Sequence, residues 1–124
     1  MKRSSTQKRA VCMPSFGSPQ LQVLAVIEGE DPSGVHRIQA SESVVGRGAK
    51  ADFVVVDPEV SECHCLVRVD GPVCWLTDLE SLNGTWLNGN RIHTGVTQRL
   101  RHLDEVQVGS TRLLFLAVKF KDRR

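Results

Sequence analysis

Nowhere in this chain does an apolar residue recur every three to four positions over a helical length. Apolar runs, mostly four to eight residues long, occupy positions 21–27, 35–40, 43–46, 53–56, 64–69, 73–78, 85–87, 98–103, 105–108 and 111–118. Turn-forming residues separate them. Glu30-Asp31-Pro32-Ser33-Gly34 reads as a loop and Asp70-Gly71-Pro72 as a hairpin turn. Asn88-Gly89, between Trp86-Leu87 and Arg91-Ile92, is a strong hairpin signal, because both residues tolerate the positive φ that such turns demand. The nearest approach to a helix is Arg112-Leu113-Leu114-Phe115-Leu116; bounded by Gly109-Ser110, it reads as a strand buried on both faces. Short strands at this spacing predict an all-β chain: a β-sandwich of two antiparallel sheets with ten or eleven strands. In such a sandwich the loops gather at two ends, where function concentrates.

A chain of 124 residues supports one domain with a modest core. No apolar run approaches the roughly 20 residues that cross a bilayer as a helix, and no membrane association is expected. The net charge of +2 is unevenly spread. Residues 1–19 hold Lys2, Arg3, Lys8 and Arg9 and no acid, and read as a disordered basic tail. Residues 119–124 form a basic C-terminal tail with Lys119, Lys121, Arg123 and Arg124 against Asp122. The intervening domain, 20–118, has eight Lys/Arg against thirteen Asp/Glu. A body of that sign repels nucleic acid, so no nucleic-acid binding by the domain itself is expected. The amino-terminal composition fits a nuclear-type basic tail or an organelle transit segment, and the expected setting is intracellular: nuclear or cytoplasmic, with organelle import left open.

Cys63, His64 and Cys65 invite a metal reading. On a strand, however, Cys63 and Cys65 share one face while His64 points away, and paired C-x-x-C spacing is absent. No metal and no cofactor is expected; the cysteines read as buried free thiols in a reducing compartment. Ser61 and His64 suggest a nucleophile pair with Asp57 or Asp78 as orienter, but the strand–elbow–helix setting of such pairs is missing.

The residue pattern points instead to anion recognition. Arg47 is the best phosphate ligand in the sequence, because its planar guanidinium binds phosphate bidentately. Gly46 and Gly48 flank it and let the chain turn sharply to present it. Lys50 is an auxiliary cation on the same loop. Gly46-Arg47-Gly48-Ala49-Lys50 loosely resembles a nucleotide-binding glycine loop, but lacks the closing Lys-Ser/Thr and a following helix. Ser61, in the loop after Asp57-Pro58-Glu59-Val60, offers a hydroxyl donor.

Gly46-Arg47, Ser61-Glu62-Cys63-His64, the stretch from Asp78 to Gly89 containing Ser81-Leu82-Asn83-Gly84-Thr85, and Leu103-Asp104-Glu105-Val106-Gln107-Val108-Gly109 follow one another at spacings that resemble the forkhead-associated (FHA) domain. The resemblance spans about Leu21 to Val118 and implies an FHA/SMAD-like sandwich that reads phosphothreonine on a partner protein. It implies that Arg47 and Ser61 contact the phosphate and that Asn83 holds the bound peptide's backbone. His64 would brace the loop, and Gly46, Gly84, Asn88 and Gly89 would serve the structure. The expected partner is a phosphothreonine-containing protein segment, bound by a monomer, with nothing catalysed.

Two positions depart from the family pattern. Glu62 stands where Arg or Asn usually follows the serine, and Leu82 stands where a Thr or Ser hydroxyl usually meets the phosphate. Losing a charge-assisted hydrogen bond weakens binding by about 1.5–3 kcal/mol. A carboxylate roughly 8 Å from phosphate costs about 2 kcal/mol per unit charge at an effective dielectric near 20. Both residues border the expected peptide site, and Glu62 would favour a basic residue three places after the phosphothreonine. The alternative is a degenerate FHA domain that acts as a phosphate-independent protein-interaction scaffold.

Overall fold

The computed structural model describes residues 20–119. The expected basic tails, 1–19 and 119–124, lie outside the described residues except for Lys119, as does any address signal within residues 1–19. Lys119, assigned to the C-terminal tail from sequence, is the last residue of the final strand.

Eleven strands form the described chain: β1 (Gln20–Glu28), β2 (Val35–Arg37), β3 (Glu42–Gly46), β4 (Phe53–Val54), β5 (Cys65–Asp70), β6 (Val73–Asp78), β7 (Thr85–Leu87), β8 (Asn90–Ile92), β9 (Thr97–Leu100), β10 (Glu105–Val108) and β11 (Thr111–Lys119). They make a six-stranded sheet, β2-β1-β11-β10-β7-β8, and a five-stranded sheet, β4-β3-β5-β6-β9. The sandwich is the one expected from the apolar runs, with one pair running differently. β4 lies parallel to β3, Val45 opposite Phe53 and Gly46 opposite Val54. Parallel neighbours usually need a long crossover. Here six residues suffice, because Asp52 pins the turn: its N–H donates to the Val44 carbonyl and its carboxylate accepts from the Val44 N–H.

The core follows from strand alternation. Leu24, Leu113 and Phe115 from the larger sheet meet Val45, Val67 and Leu76 from the smaller one, all essentially without solvent exposure. β11 alternates rather than being buried on both faces as expected: Leu113 and Phe115 point inward, Arg112 is exposed, and Leu114 and Leu116 are half-buried on the outer face. Arg112 there pairs with Glu28 and Glu105.

Both expected hairpins form. Gly71 turns between β5 and β6 at φ 61°. Asn88 and Gly89, at φ 51° and 85°, turn between β7 and β8. Asn88 does more than turn. Its amide accepts from the Glu105 N–H and donates to the Asp104 carboxylate, tying this hairpin to the start of β10.

Candidate phosphopeptide-binding site

Three connections converge at one end of the sandwich: residues 47–52 after β3, 55–64 after β4, and 79–84 after β6. Each is stitched to the next. The Arg47 N–H donates to the Ser61 carbonyl at 2.9 Å and the Gly48 N–H to the Glu62 carbonyl at 3.2 Å. The Leu82 N–H donates to Ser61 Oγ at 3.0 Å, and Asn83 Nδ2 donates to the Glu59 carbonyl at 2.8 Å. Arg47, Ser61, Glu62, Leu82 and Asn83, spread over 37 positions of sequence, therefore stand side by side.

Arg47 is exposed, and its Nε donates to the Val60 carbonyl at 2.9 Å. That bond fixes the guanidinium plane and leaves both terminal NH2 groups for a ligand. The ion pairs found among the described residues belong to Arg112, so no carboxylate claims Arg47. Ser61 Oγ accepts from Leu82, which leaves its own O–H to donate outward. The Asn83 side-chain oxygen and second amide N–H have no partner among the described residues. Lys50 is exposed on the Arg47 turn, with no hydrogen-bond partner among the described residues.

Gly46 serves a purpose other than the sharp turn inferred from sequence. A side chain there would place Cβ 2.0 Å from the Glu62 carbonyl oxygen. The glycine lets two loop backbones touch, and that contact carries the Arg47 and Gly48 hydrogen bonds. Gly84 does turn, at φ 91°, and a Cβ there would also meet Arg91 Nε at 2.7 Å.

His64 is wholly buried. Its Nδ1 accepts the Ser61 N–H at 3.0 Å, so the ring proton sits on Nε2, which donates to the Gly84 carbonyl at 2.8 Å. One imidazole thus joins the 55–64 and 79–84 loops. It has no nitrogen left for the Ser61 hydroxyl, which disposes of a nucleophile pair. The local geometry also departs from the strand expected at 64–69: β5 starts at Cys65, leaving Cys63 exposed and His64 inward. Cys65 and Cys74 are buried, and burial pushes their thiols up to about 12 and about 11, so both stay protonated. Cys63 contradicts the expectation of a buried thiol. No three His, Cys, Asp or Glu side chains among the described residues cluster as metal ligands.

Two buried carboxylates complete the frame, in roles that sequence reasoning did not assign. Asp57 accepts from the Glu59 and Ser110 N–H groups and from Thr111 Oγ1, holding the 55–64 loop against the β10–β11 turn. Asp78 accepts from the hydroxyls of Ser81, Thr85 and Thr94 and from the Ser81 N–H, holding the 79–84 loop. Burial alone would raise both carboxyls, but these donors prevail and hold each below the usual carboxylate value. Paired Thr and Ser hydroxyls downstream of an inward-facing aspartate are the available sequence signal. It is weak, because the partner positions lie up to 54 residues away.

The frame and its end loops define a sandwich built for loop-borne recognition of an anion. The FHA domain family matches residues 43–109, more than half of the chain, and the chain belongs to that family. It is 32% identical over 101 residues to the glycogen accumulation regulator GarA of Mycolicibacterium smegmatis, covering 81% of this chain and 62% of that protein. It is 31% identical over 101 residues to an oxoglutarate dehydrogenase inhibitor of Corynebacterium jeikeium, covering 81% of this chain and 68% of that protein. This chain therefore spans less than two thirds of the GarA length. A structure solved in work on phosphothreonine-dependent FHA domain interactions superposes with a TM-score of 0.70 at 27% identity, covering 77% of this chain and 95% of that one. No helix among the described residues is long and apolar enough to cross a membrane.

Proposed function

We propose that this chain is a phosphothreonine-dependent binding module that recruits a phosphorylated partner protein. The observation that carries this reading is the state of Arg47, exposed and bonded through Nε to the Val60 carbonyl, with its two NH2 groups unpartnered among the described residues and its backbone bonded to that of Ser61, whose hydroxyl hydrogen is uncommitted. A dianionic phosphate takes both NH2 groups bidentately and accepts from Ser61 as well, a mode in which charge-assisted bonds supply affinity and geometry together. Asn83 holds the peptide backbone through its remaining amide capacity, with Glu62, Leu82 and Lys50 at the border. Glu62 favours a basic residue three places after the phosphothreonine. The module acts as a monomer without a cofactor or catalysis, in a reducing intracellular setting suited to its free thiols.

A second reading has its own support. Leu82 is 84% exposed at the position where a hydroxyl would reach the phosphate. That favours a scaffold whose partner docks without phosphate. Calorimetric titration with a degenerate phosphothreonine peptide pool, beside the same pool unphosphorylated, separates the two. A reader binds only the first and loses at least about tenfold on Arg47→Ala. Equal binding of both pools would leave the scaffold.

A further inference from the structure

The opposite end of the sandwich opens into a groove of about 320 Å³ between the two sheets. Its floor is apolar and deeply buried, formed by Phe115 from the larger sheet and Cys74 and Leu100 from the smaller. Gln22 joins them at 7% exposure. Its side-chain Nε2 donates to Gln20 Oε1, its backbone carbonyl accepts from the Ile38 N–H, and its side-chain Oε1 has no partner among the described residues. Arg99, Arg101, His102 and Lys119 stand among the lining residues, and no Asp or Glu does. None of these basic groups is ion-paired among the described residues.

The rim is held rigidly. The Leu103 N–H donates to the Phe115 carbonyl, the Phe115 N–H to the Asp104 carbonyl, and the Ala117 N–H to His102 Nδ1, so the 101–104 turn is clamped onto β11. The acid of this turn, Asp104, spends its carboxylate on the Arg101 N–H and the Asn88 amide, and Asp70, exposed two positions before Pro72, is not among the lining residues. Three cations and an imidazole therefore border an apolar floor beside a side-chain amide oxygen that has no partner among the described residues.

We propose that this groove is a second binding site, which takes an acidic peptide segment through one apolar side chain. Carboxylates of the segment meet Arg99, Arg101 and Lys119; the apolar side chain covers the floor; and a backbone or side-chain N–H meets Gln22 Oε1. A long polyanion fits less well, because residues 20–118 carry eight Lys/Arg against thirteen Asp/Glu and repel it beyond the rim. A membrane fits less well, because the apolar surface is recessed rather than projecting. The site is independent of Arg47 and of the function proposed above.

The probe is a fluorescein-labelled peptide of sequence Glu-Asp-Phe-Asp-Glu, titrated by anisotropy with the full chain at low salt. Saturable binding is expected, weakened about tenfold or more by the double change Arg99→Glu and Arg101→Glu and untouched by Arg47→Ala. Both arginines are exposed, and an unchanged melting temperature verifies that the variant is folded. Replacing the peptide's Phe by Gly should weaken binding about fivefold or more, an arm that needs no protein variant. The proposal is overturned if binding does not saturate, if it is lost with Arg47 rather than with the arginine pair, or if polyglutamate or single-stranded DNA binds as tightly as the Phe peptide.

Discussion

At the residue scale, Leu82 is where the strength of the proposed site can be tested. Its backbone already contributes, through the N–H that holds Ser61 Oγ, while its side chain projects into solvent. Exchanging that side chain leaves the core unchanged and leaves Ser61 in place. Leu82→Thr adds a hydroxyl next to Ser61, and one charge-assisted hydrogen bond contributes about 1.5–3 kcal/mol. Affinity for a phosphothreonine peptide should rise about tenfold or more, measured by calorimetry, with no change for the unphosphorylated peptide. An unchanged affinity would mean that the phosphate does not sit between Arg47 and this position.

At the level of elements, two carboxylates keep the loops in register, and their titration should be visible in stability. Asp57 and Asp78 are buried with folded pKa values below the ordinary 3.8. A depressed carboxyl contributes stability above its unfolded pKa and loses it as pH falls through the folded value. Their contribution should thus hold from neutrality down to about pH 4 and be lost below that, a steeper acid limb than the loss below about pH 6.5 from His36, whose imidazole burial holds below its ordinary value. Asp78→Asn keeps one acceptor but loses the charge that draws on three hydroxyls. It should cost about 1–3 kcal/mol at pH 7 and flatten the acid limb, followed by thermal melts across pH. Much of the element order was readable beforehand, because strands and hairpins are local: alternation marks a strand, and Asn88-Gly89 marks its own turn. What escaped is non-local. β4 runs parallel because Asp52 bonds backward to Val44. Gly46 is needed because Glu62 presses against it from another loop, and His64 turns inward to reach Gly84, 20 positions away. Arg47, Ser61 and Asn83 could be singled out because each carries its chemistry in its own side chain. The residues that brace them carry theirs only in company.

For the whole molecule, these titrations separate fold from ligand. The carboxylates that hold the loops protonate below about pH 4, whereas a phosphomonoester loses its second charge near pH 6. A guanidinium does not deprotonate in proteins. Between pH 7.5 and pH 5 the only partner in the phosphate contact that changes charge is therefore the phosphate. The dianion is bound by a fork that two of its oxygens can fill, and the monoanion offers less charge to the same fork and carries a proton that competes for one oxygen. Affinity for a phosphothreonine peptide should fall about three- to tenfold over that interval while the chain stays folded, measured by calorimetry and thermal melts in the same buffers. A glutamate-substituted peptide, whose carboxylate stays ionised down to about pH 5, should show a much flatter profile. If both peptides weakened in parallel, the change would have to lie in the loops rather than in the phosphate, and Arg47 would not be the group that reads it.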